Sequence, residues 1–556
     1  MRIKIAANGF RNANFASWLS YTILILAGYP IDMTRTRADL RSVLWLCLAF
    51  AGIKLAIQII GNILAQHAGY GIFRDELYYL VCGQRLAFGY VDQPPLVALQ
   101  ARLTEMLFGH DQMWSLRLLS ALAGAATVFL TGLLAWAFGG NRRAAALAML
   151  GVISAGIYLG IDGFLSMNSF DPVFWMLCVL ALIRITRATS QKEVRNWWLV
   201  FGASAGLSFE NKDSVAFFLI AMLLALLLTP QRRILASRWM AAAVAVLVLI
   251  ALPNFLWQVF HHFPTIEFLH NVQASGKNTK LPPLQFISQQ IMMLTPQNVL
   301  LWGAGVLWLL FAKNARQWRF LGVFFLVFFG LMLALHSKDY YLAPAYPVFF
   351  AAGAVAWMSW AAQTRWRNAL VLAFVVLEVI CLAAFLPFSI PVLPPQQYLA
   401  YAKKLHFSST NSEVQRVKPL LPQFYADRFG WNDLVEEVAR VYRSLPPQEQ
   451  AVTGVYAENY GEAGAIDILG RKYGLPMSIS GHQTYWLWGP RGYTGKEMII
   501  ISNATIDEAQ QVYAVCSIAG RVDNPLSMPY EHKNIFLCYG RKVPFQSDWK
   551  SQKIYH

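Results

Sequence analysis

A chain of 556 residues that is 56% hydrophobic and only 14% charged, with a mean hydropathy of +0.41, is too apolar to be one water-soluble globule. Its formal charge of +16 does not indicate nucleic-acid binding, because the basic residues punctuate apolar runs instead of gathering on one face or tail. Six cysteines in so long a chain exclude a disulfide scaffold, and no Cys/His spacing matches a zinc site.

The apolar stretch 18–28 is short for a membrane span and has the length of a signal-peptide core. It is read as non-spanning, an extension ahead of Met33 within an N-terminal cytoplasmic segment 1–40. Crossing the hydrocarbon takes roughly 20 apolar residues, and about eleven later segments qualify or nearly do. They are 42–65, 114–138, 143–160, 172–188, 196–209, 214–229, 239–256, 286–312, 319–336, 341–361 and 368–390. One set of alternate loops carries Arg142 and Arg143; Arg187, Lys192 and Arg195; Arg232, Arg233 and Arg238; Lys313, Arg316 and Arg319; Arg365 and Arg367. With Arg35, Arg37 and Arg41 ahead of the first span, that set marks the cytoplasmic side of a bacterial inner membrane. The intervening loops hold Asp75, Glu76, Asp92, Asp162, Asp171, Glu210, Asp213, Glu267 and Asp339, and are placed outside. An odd number of crossings then puts the polar tail outside as well.

The first outer loop, 66–113, is too long for a connector and repeats its apolar residues at helical spacing. Two amphipathic helices lying at the membrane surface, broken at 92–95, are expected there. A helical membrane part over 41–390 ends in the Pro-rich stretch PFSIPVLPP, which reads as a boundary linker. Beyond it, WNDLVEEVARVYRSL and TIDEAQQVYAVC read as amphipathic helices, and AVTGVYA, EMIIISNA and NIFLCYG as short buried strands. The fold class is a polytopic α-helical membrane protein with a small extracytoplasmic α/β domain over 391–556. Cys516 and Cys538 fall in that domain, where an oxidising compartment permits a bridge without requiring one. Cys47, Cys178 and Cys381 lie in spans and read as small buried apolar residues.

Ionisable residues at the membrane boundary are expensive to hold there and become functional candidates for that reason. Asp75 and Glu76 open a helix, where carboxylates either stabilise the helix dipole or act as a general base toward an acceptor hydroxyl. Lys212, in the short turn SFENKDS, either snorkels to the headgroups or meets the charge of a departing phosphate. Lys338, in HSKDYYLAPAYP beside His336, carries the same two readings. Arg117, one turn into the second span with no acidic partner evident in the sequence, snorkels outward or faces a cavity. Asp171 in SFDPVFW is either a cavity acid or the start of a helix with Pro in its first turn, and Asp162 is similar. Asp92 is a further cavity candidate. Tyr78 with Tyr79, and Tyr340 with Tyr341, read as an interfacial aromatic belt or as sugar platforms. No cofactor is called for, and a divalent metal has no support in the ligand spacing.

FRDELYYL, the following DQPPL, an Asp-Pro opening a later span, a Lys in a tight outer turn and KDYYLAPAYP occur in an order that resembles the glycosyltransferase family 39 membrane enzymes of the GT-C fold. That family includes protein O-mannosyltransferases and aminoarabinose transferases acting on lipid A. The resemblance covers about residues 60–390, and YGEAGAIDI and SGHQTYWLWGP are similar to outer domains of bacterial members. It implies a polyprenyl-phosphate sugar donor, a lipid, glycan or protein acceptor, and a cavity opening at the outer face. Asp75 matches the family's first-loop base and Glu76 its partner. Lys212 matches the cation of a Thr-Lys-Gly-like turn, with Asn211 before it and Asp213 in place of the glycine. Lys338 and Tyr341 match a basic residue and a tyrosine of the late outer loop, and Asp171 an acid of the second. Lys212, Lys338, Arg117 and Tyr341 are thus the candidates for the donor phosphate. A transporter or flippase of lipid-linked sugars is the competing reading, although no internal symmetry of the kind transporters show is visible. A non-catalytic subunit presenting the C-terminal domain is another.

Overall fold

The computed structural model describes residues 37–276, 280–407 and 418–556; the stretch 18–28, Arg35 and the extension ahead of Met33 lie outside them. Among the described residues seven helices are long and apolar enough to cross a membrane, or nine if each of two bent pairs forms one span. The seven are Ala38–His67, Leu118–Ala137, Met167–Arg187, Arg238–Phe260, Lys313–Ala334, Asp339–Ala361 and Arg365–Ser389.

Two segments expected as single straight spans are not. The segment 143–160 breaks at Ala155 into Arg142–Ser154 and Gly156–Ile161, and the freed Gly156 N–H donates to Thr295 Oγ1 at 3.0 Å. The segment 286–312 bends by 101° between Pro283–Met293 and Pro296–Phe311, where Thr295 sits at φ 68°. The segment 214–229 holds one helix, Val215–Leu227, and just beyond it the chain turns by 113° into Pro230–Ala236. In the last two the second helix opens on a proline, which lacks the N–H that would continue the ladder.

The bundle is held by close packing. A Cβ on Gly353 would lie 1.9 Å from Leu301 O, and one on Gly305 would lie 2.0 Å from Phe349 O. The helices Val299–Phe311 and Tyr346–Ala361 therefore touch backbone to backbone, as small residues permit in membranes.

The first loop forms two helices as expected, here α1 (Arg74–Gln84) and α2 (Leu96–Phe108). Only α2 keeps an apolar face bare, with Leu99, Leu103, Met106 and Leu107 exposed. The expectation of two surface-lying helices fails for α1, whose Leu77, Tyr78, Tyr79 and Leu80 share one core with Val435, Val438, Ile466 and Ile499 of the C-terminal region.

That region contains α3 (Trp431–Arg443) and carries a four-stranded sheet in the order β1-β2-β4-β3. Its strands are β1 (Gly454–Ala457), β2 (Glu497–Ser502), β3 (Tyr513–Val522) and β4 (Lys533–Arg541). β1 runs parallel to β2, with α4 (Tyr460–Leu469) in the crossover, and the other pairs are antiparallel. The helix read over TIDEAQQVYAVC is half right: α5 (Ile506–Val512), capped by Thr505 and Glu508, stops where β3 begins. From Tyr513 onward pairing with β4 outweighs local helical spacing. Cys516 and Cys538 face each other in that register and are joined in a disulfide.

Candidate functional site

Asp75 and Glu76 are adjacent at the start of α1, so their side chains leave the helix about 100° apart and meet different surroundings. Glu76 points inward and is fully buried. Its Oε1 accepts from Arg117 Nε at 2.8 Å and Leu165 N–H at 2.7 Å; its Oε2 accepts from Arg117 Nη2 and from Phe73 N–H, both at 2.8 Å. Burial raises the carboxyl, but the Arg117 charge and hydrogen bonds, with Arg428 behind them, hold it below the usual carboxylate range.

Arg117, equally buried, spends its remaining donors on Asn62 Oδ1 at 3.0 Å and Gly71 O at 3.3 Å. Two expectations are corrected here. Glu76 has no open oxygen with which to accept a proton, and Arg117 has an acidic partner and is buried instead of reaching outward. The sequence hid the pair because its members are 41 residues apart.

Asp75 is placed differently. It is 29% exposed, its Oδ1 accepts from Tyr460 Oη at 2.8 Å, and Arg74 Nε lies 3.7 Å away. Its Oδ2 accepts no hydrogen bond among the described residues. Arg74 donates to Tyr530 Oη at 2.7 Å and packs over the rings of Tyr460 and Tyr530. Tyr530 in turn donates to Asp427 Oδ1 at 2.9 Å, and burial pushes that carboxyl up to about 7 despite Arg74.

Asp92, in the break between α1 and α2, accepts from Tyr78 Oη at 2.9 Å. The Tyr78 hydroxyl is also 2.6 Å from that of Thr484, whose oxygen accepts from Val91 N–H at 3.1 Å. Tyr460, Tyr530 and Thr484 all come from the C-terminal region, and nothing local in the sequence assigns them to the first loop.

The second group is built on the turn after Gln191–Asn211. Lys212 Nζ donates to Asn168 Oδ1 at 2.6 Å, lies 3.9 Å from Asp171 Oδ2, and sits 5.3 and 5.0 Å from the ring centres of Tyr340 and Tyr341. Burial lowers its pKa, Asp171 opposes the fall, and the charge of Lys338 adds to it. Two lysines therefore share one electrostatic neighbourhood under two tyrosines.

Asp171 is fully buried and tied by Asn211 Nδ2 at 2.8 Å and Ser214 Oγ at 3.1 Å, so it anchors the turn that presents Lys212. Asn211, which departs from the family's Thr, also donates to Met167 O at 2.8 Å and locks the two turns together. Asp213, in the family's glycine position, is pushed up to about 6 by burial. His336 lies exposed at φ 49°. Asp162 belongs elsewhere, paired at 2.9 Å with Lys54 inside the bundle.

Tyr79 links the two groups. Burial drives its hydroxyl well above the usual phenol range, and the charges of Asp75 and Asp92, with Tyr460 and Tyr340, add to the shift. The charges of Asp75 and Asp92 reach Tyr79, as does Tyr340, which lies beside Lys212.

The chain is similar to several known proteins. Residues 92–257 match the family described as dolichyl-phosphate-mannose-protein mannosyltransferase. Over 200 residues the chain is 30% identical to the lipid A galacturonosyltransferase RgtD of Rhizobium johnstonii, a match covering 36% of this chain and 41% of that protein. Over 183 residues it is 26% identical to the undecaprenyl phosphate-alpha-4-amino-4-deoxy-L-arabinose arabinosyl transferase 1 of Pseudomonas fluorescens, covering 32% of this chain and 31% of that protein. The chain therefore spans less than half the length of either curated relative. The fold is like that in the crystal structure of ArnT from Cupriavidus metallidurans bound to undecaprenyl phosphate, with a TM-score of 0.58 at 14% identity, over 88% of this chain and 97% of that one.

Proposed function

We propose that this chain is a GT-C-type membrane glycosyltransferase that transfers a sugar from a polyprenyl-phosphate donor to an acceptor outside the cytoplasm, with Asp75 as the general base. The observation that carries this reading is Asp75, partly exposed and hydrogen-bonded through Oδ1 alone among the described residues, together with Lys212 set over the rings of Tyr340 and Tyr341. The acceptor hydroxyl attacks the anomeric carbon while Asp75 Oδ2 takes its proton, and the bond from that carbon to the phosphate oxygen breaks. The leaving phosphate keeps the electron pair, and fixed cations meet its charge. One carboxylate suffices for such an inverting displacement. Asp92 borders the same space through Tyr79, and Tyr341 stacks beside Lys212.

The relatives' names guide the choice of substrates: an undecaprenyl-phosphate-linked pentose or uronate as donor and lipid A as the first acceptor to test. The basic loops carrying Arg142, Arg143, Arg232, Arg233, Arg365 and Arg367 support a cytoplasmic placement of the opposite end of the bundle in a bacterial inner membrane. The N-terminus is then cytoplasmic and residues 391–556 form an extracytoplasmic domain. The Cys516–Cys538 bridge supports the same orientation, because disulfides persist in oxidising compartments.

A transporter of lipid-linked sugars is the second reading, favoured by the 101° bend and the buried Glu378 that accepts from Ser154 Oγ and Gln297 Nε2 beside it. The two are separated by incubating the protein in nanodiscs with undecaprenyl-phosphate-linked 4-amino-4-deoxy-L-arabinose or galacturonate and lipid A. Free undecaprenyl phosphate and a heavier lipid A are the expected products. An intact donor merely moved between leaflets supports the transporter instead.

A further inference from the structure

The C-terminal region does more than roof the site. It opens α4 with Tyr460, and the hydroxyl of that residue donates to the oxygen of Asp75 that is not open to an acceptor. We infer that Tyr460 is a positioning residue for the base, so that the catalytic centre is completed by the C-terminal region; the inference rests on Asp75 being the base.

Several independent features fix this contact. Asn459 caps α4 through Gly461 and Glu462 N–H, and Tyr460 N–H donates to His482 Nδ1 at 3.1 Å, which sets where the helix starts. Glycines then bring α4 onto α1. A Cβ on Gly464 would lie 3.0 Å from the Leu77 carbonyl carbon, and one on Gly461 would lie 2.5 Å from Arg74 Cγ. With no side chain between the helices, the first residue of α4 is delivered to the second residue of α1. The Tyr460 ring is clasped by Tyr78 at 5.0 Å and by His482, stacked at 5.1 Å, so its hydroxyl has little freedom to swing away.

The charged and titratable groups around Asp75 are Arg74 and Tyr79 on its own helix, Tyr460 on α4, and Asp427 ahead of α3. Of these only Tyr460 donates to Asp75 at hydrogen-bonding distance. Its donation to Oδ1 fixes the carboxylate rotamer and leaves Oδ2 for the acceptor.

The test uses full-length protein in nanodiscs with undecaprenyl-phosphate-linked 4-amino-4-deoxy-L-arabinose or galacturonate as probe donors. Tyr460→Phe keeps the ring, its stacking and the helix, and removes the donor. Turnover is expected to fall about 10-fold to 100-fold through lost alignment, with donor KM little changed. Replacing Tyr460 with 3-fluorotyrosine, which keeps a phenol donor in nearly the same shape, is expected to hold turnover near wild type and guards against misfolding of the Phe variant.

Asp75→Asn and the double variant are measured alongside. If Asp75→Asn is inactive and Tyr460→Phe adds nothing to it, the two act as one unit. If Asp75→Asn is inactive but Tyr460→Phe keeps wild-type turnover, the positioning role is wrong while the base stands. If Asp75→Asn keeps turnover, the base itself is wrong and the inference falls with it.

Discussion

The buried Glu76–Arg117 pair gives a sharp prediction about stability. Arg117→Met removes two of the four hydrogen bonds that Glu76 accepts and the charge that balances it, leaving a fully buried carboxylate with Leu165 and Phe73 N–H. Breaking one side of a buried pair typically costs about 3–5 kcal/mol. Arg428, whose charge also reaches Glu76, returns part of that, so about 3 kcal/mol is the expected loss.

The double variant Glu76→Leu with Arg117→Met leaves no orphan charge and is expected to lie closer to wild type than Arg117→Met alone. The sign with pH follows from the depressed folded-state value of Glu76: its stabilisation is present above the unfolded pKa and is lost as pH falls through the lower folded one. Unfolding free energy in mixed micelles reads all of this. A loss under about 1 kcal/mol for Arg117→Met, or a double variant equal to the sum of the singles, refutes the reasoning.

Lys212→Ala and Lys338→Ala are each expected to weaken donor use, visible as reduced binding of undecaprenyl phosphate and reduced turnover; unchanged values in both would mean that these lysines only reach for headgroups. Asp427, pushed up to about 7 by burial, binds its proton more tightly folded than unfolded, so its contribution to stability declines as pH rises from its ordinary 3.8 toward 7. Asp427→Asn is expected to flatten that decline in thermal unfolding scans, and an unaltered slope contradicts it. Cysteine-accessibility labelling is expected to place 231–238 inside and 418–556 outside, and non-reducing mass analysis to find Cys516 and Cys538 joined; a reversed labelling pattern overturns the proposed orientation.

Much of this was legible in the chain. The Asp-Pro of Asp171, the Lys212 turn, the two loop helices and three of the four strands follow from local rules of spacing, capping and turn chemistry. What stayed hidden was whatever depends on distant partners. The partner of Arg117 is not evident in the sequence because Glu76 lies 41 residues earlier, and the different surroundings of Asp75 and Glu76 depend on which face of the helix packs inward. Tyr460 is 385 residues from Asp75, inside the quoted YGEAGAIDI, and its glycines mark the close approach only once α1 is opposite them. Strand β3 was lost because helical spacing continues across Tyr513 and only pairing with β4 ends the helix. The bends at Thr295 and after Leu227 escaped because mean apolarity is indifferent to direction.

The central claim is that Asp75 removes the acceptor proton. The most direct test is single-turnover release of undecaprenyl phosphate by wild type and by Asp75→Asn, each saturated with a donor that the wild type consumes. Asparagine keeps the shape and can still accept from Tyr460, but it cannot take a proton. Release is expected to slow by about 10²–10⁴-fold with donor affinity preserved, while Glu76→Gln loses far less turnover per folded molecule. Asp75→Asn turning over within a few-fold of wild type, or Glu76→Gln failing in its place, would contradict the account.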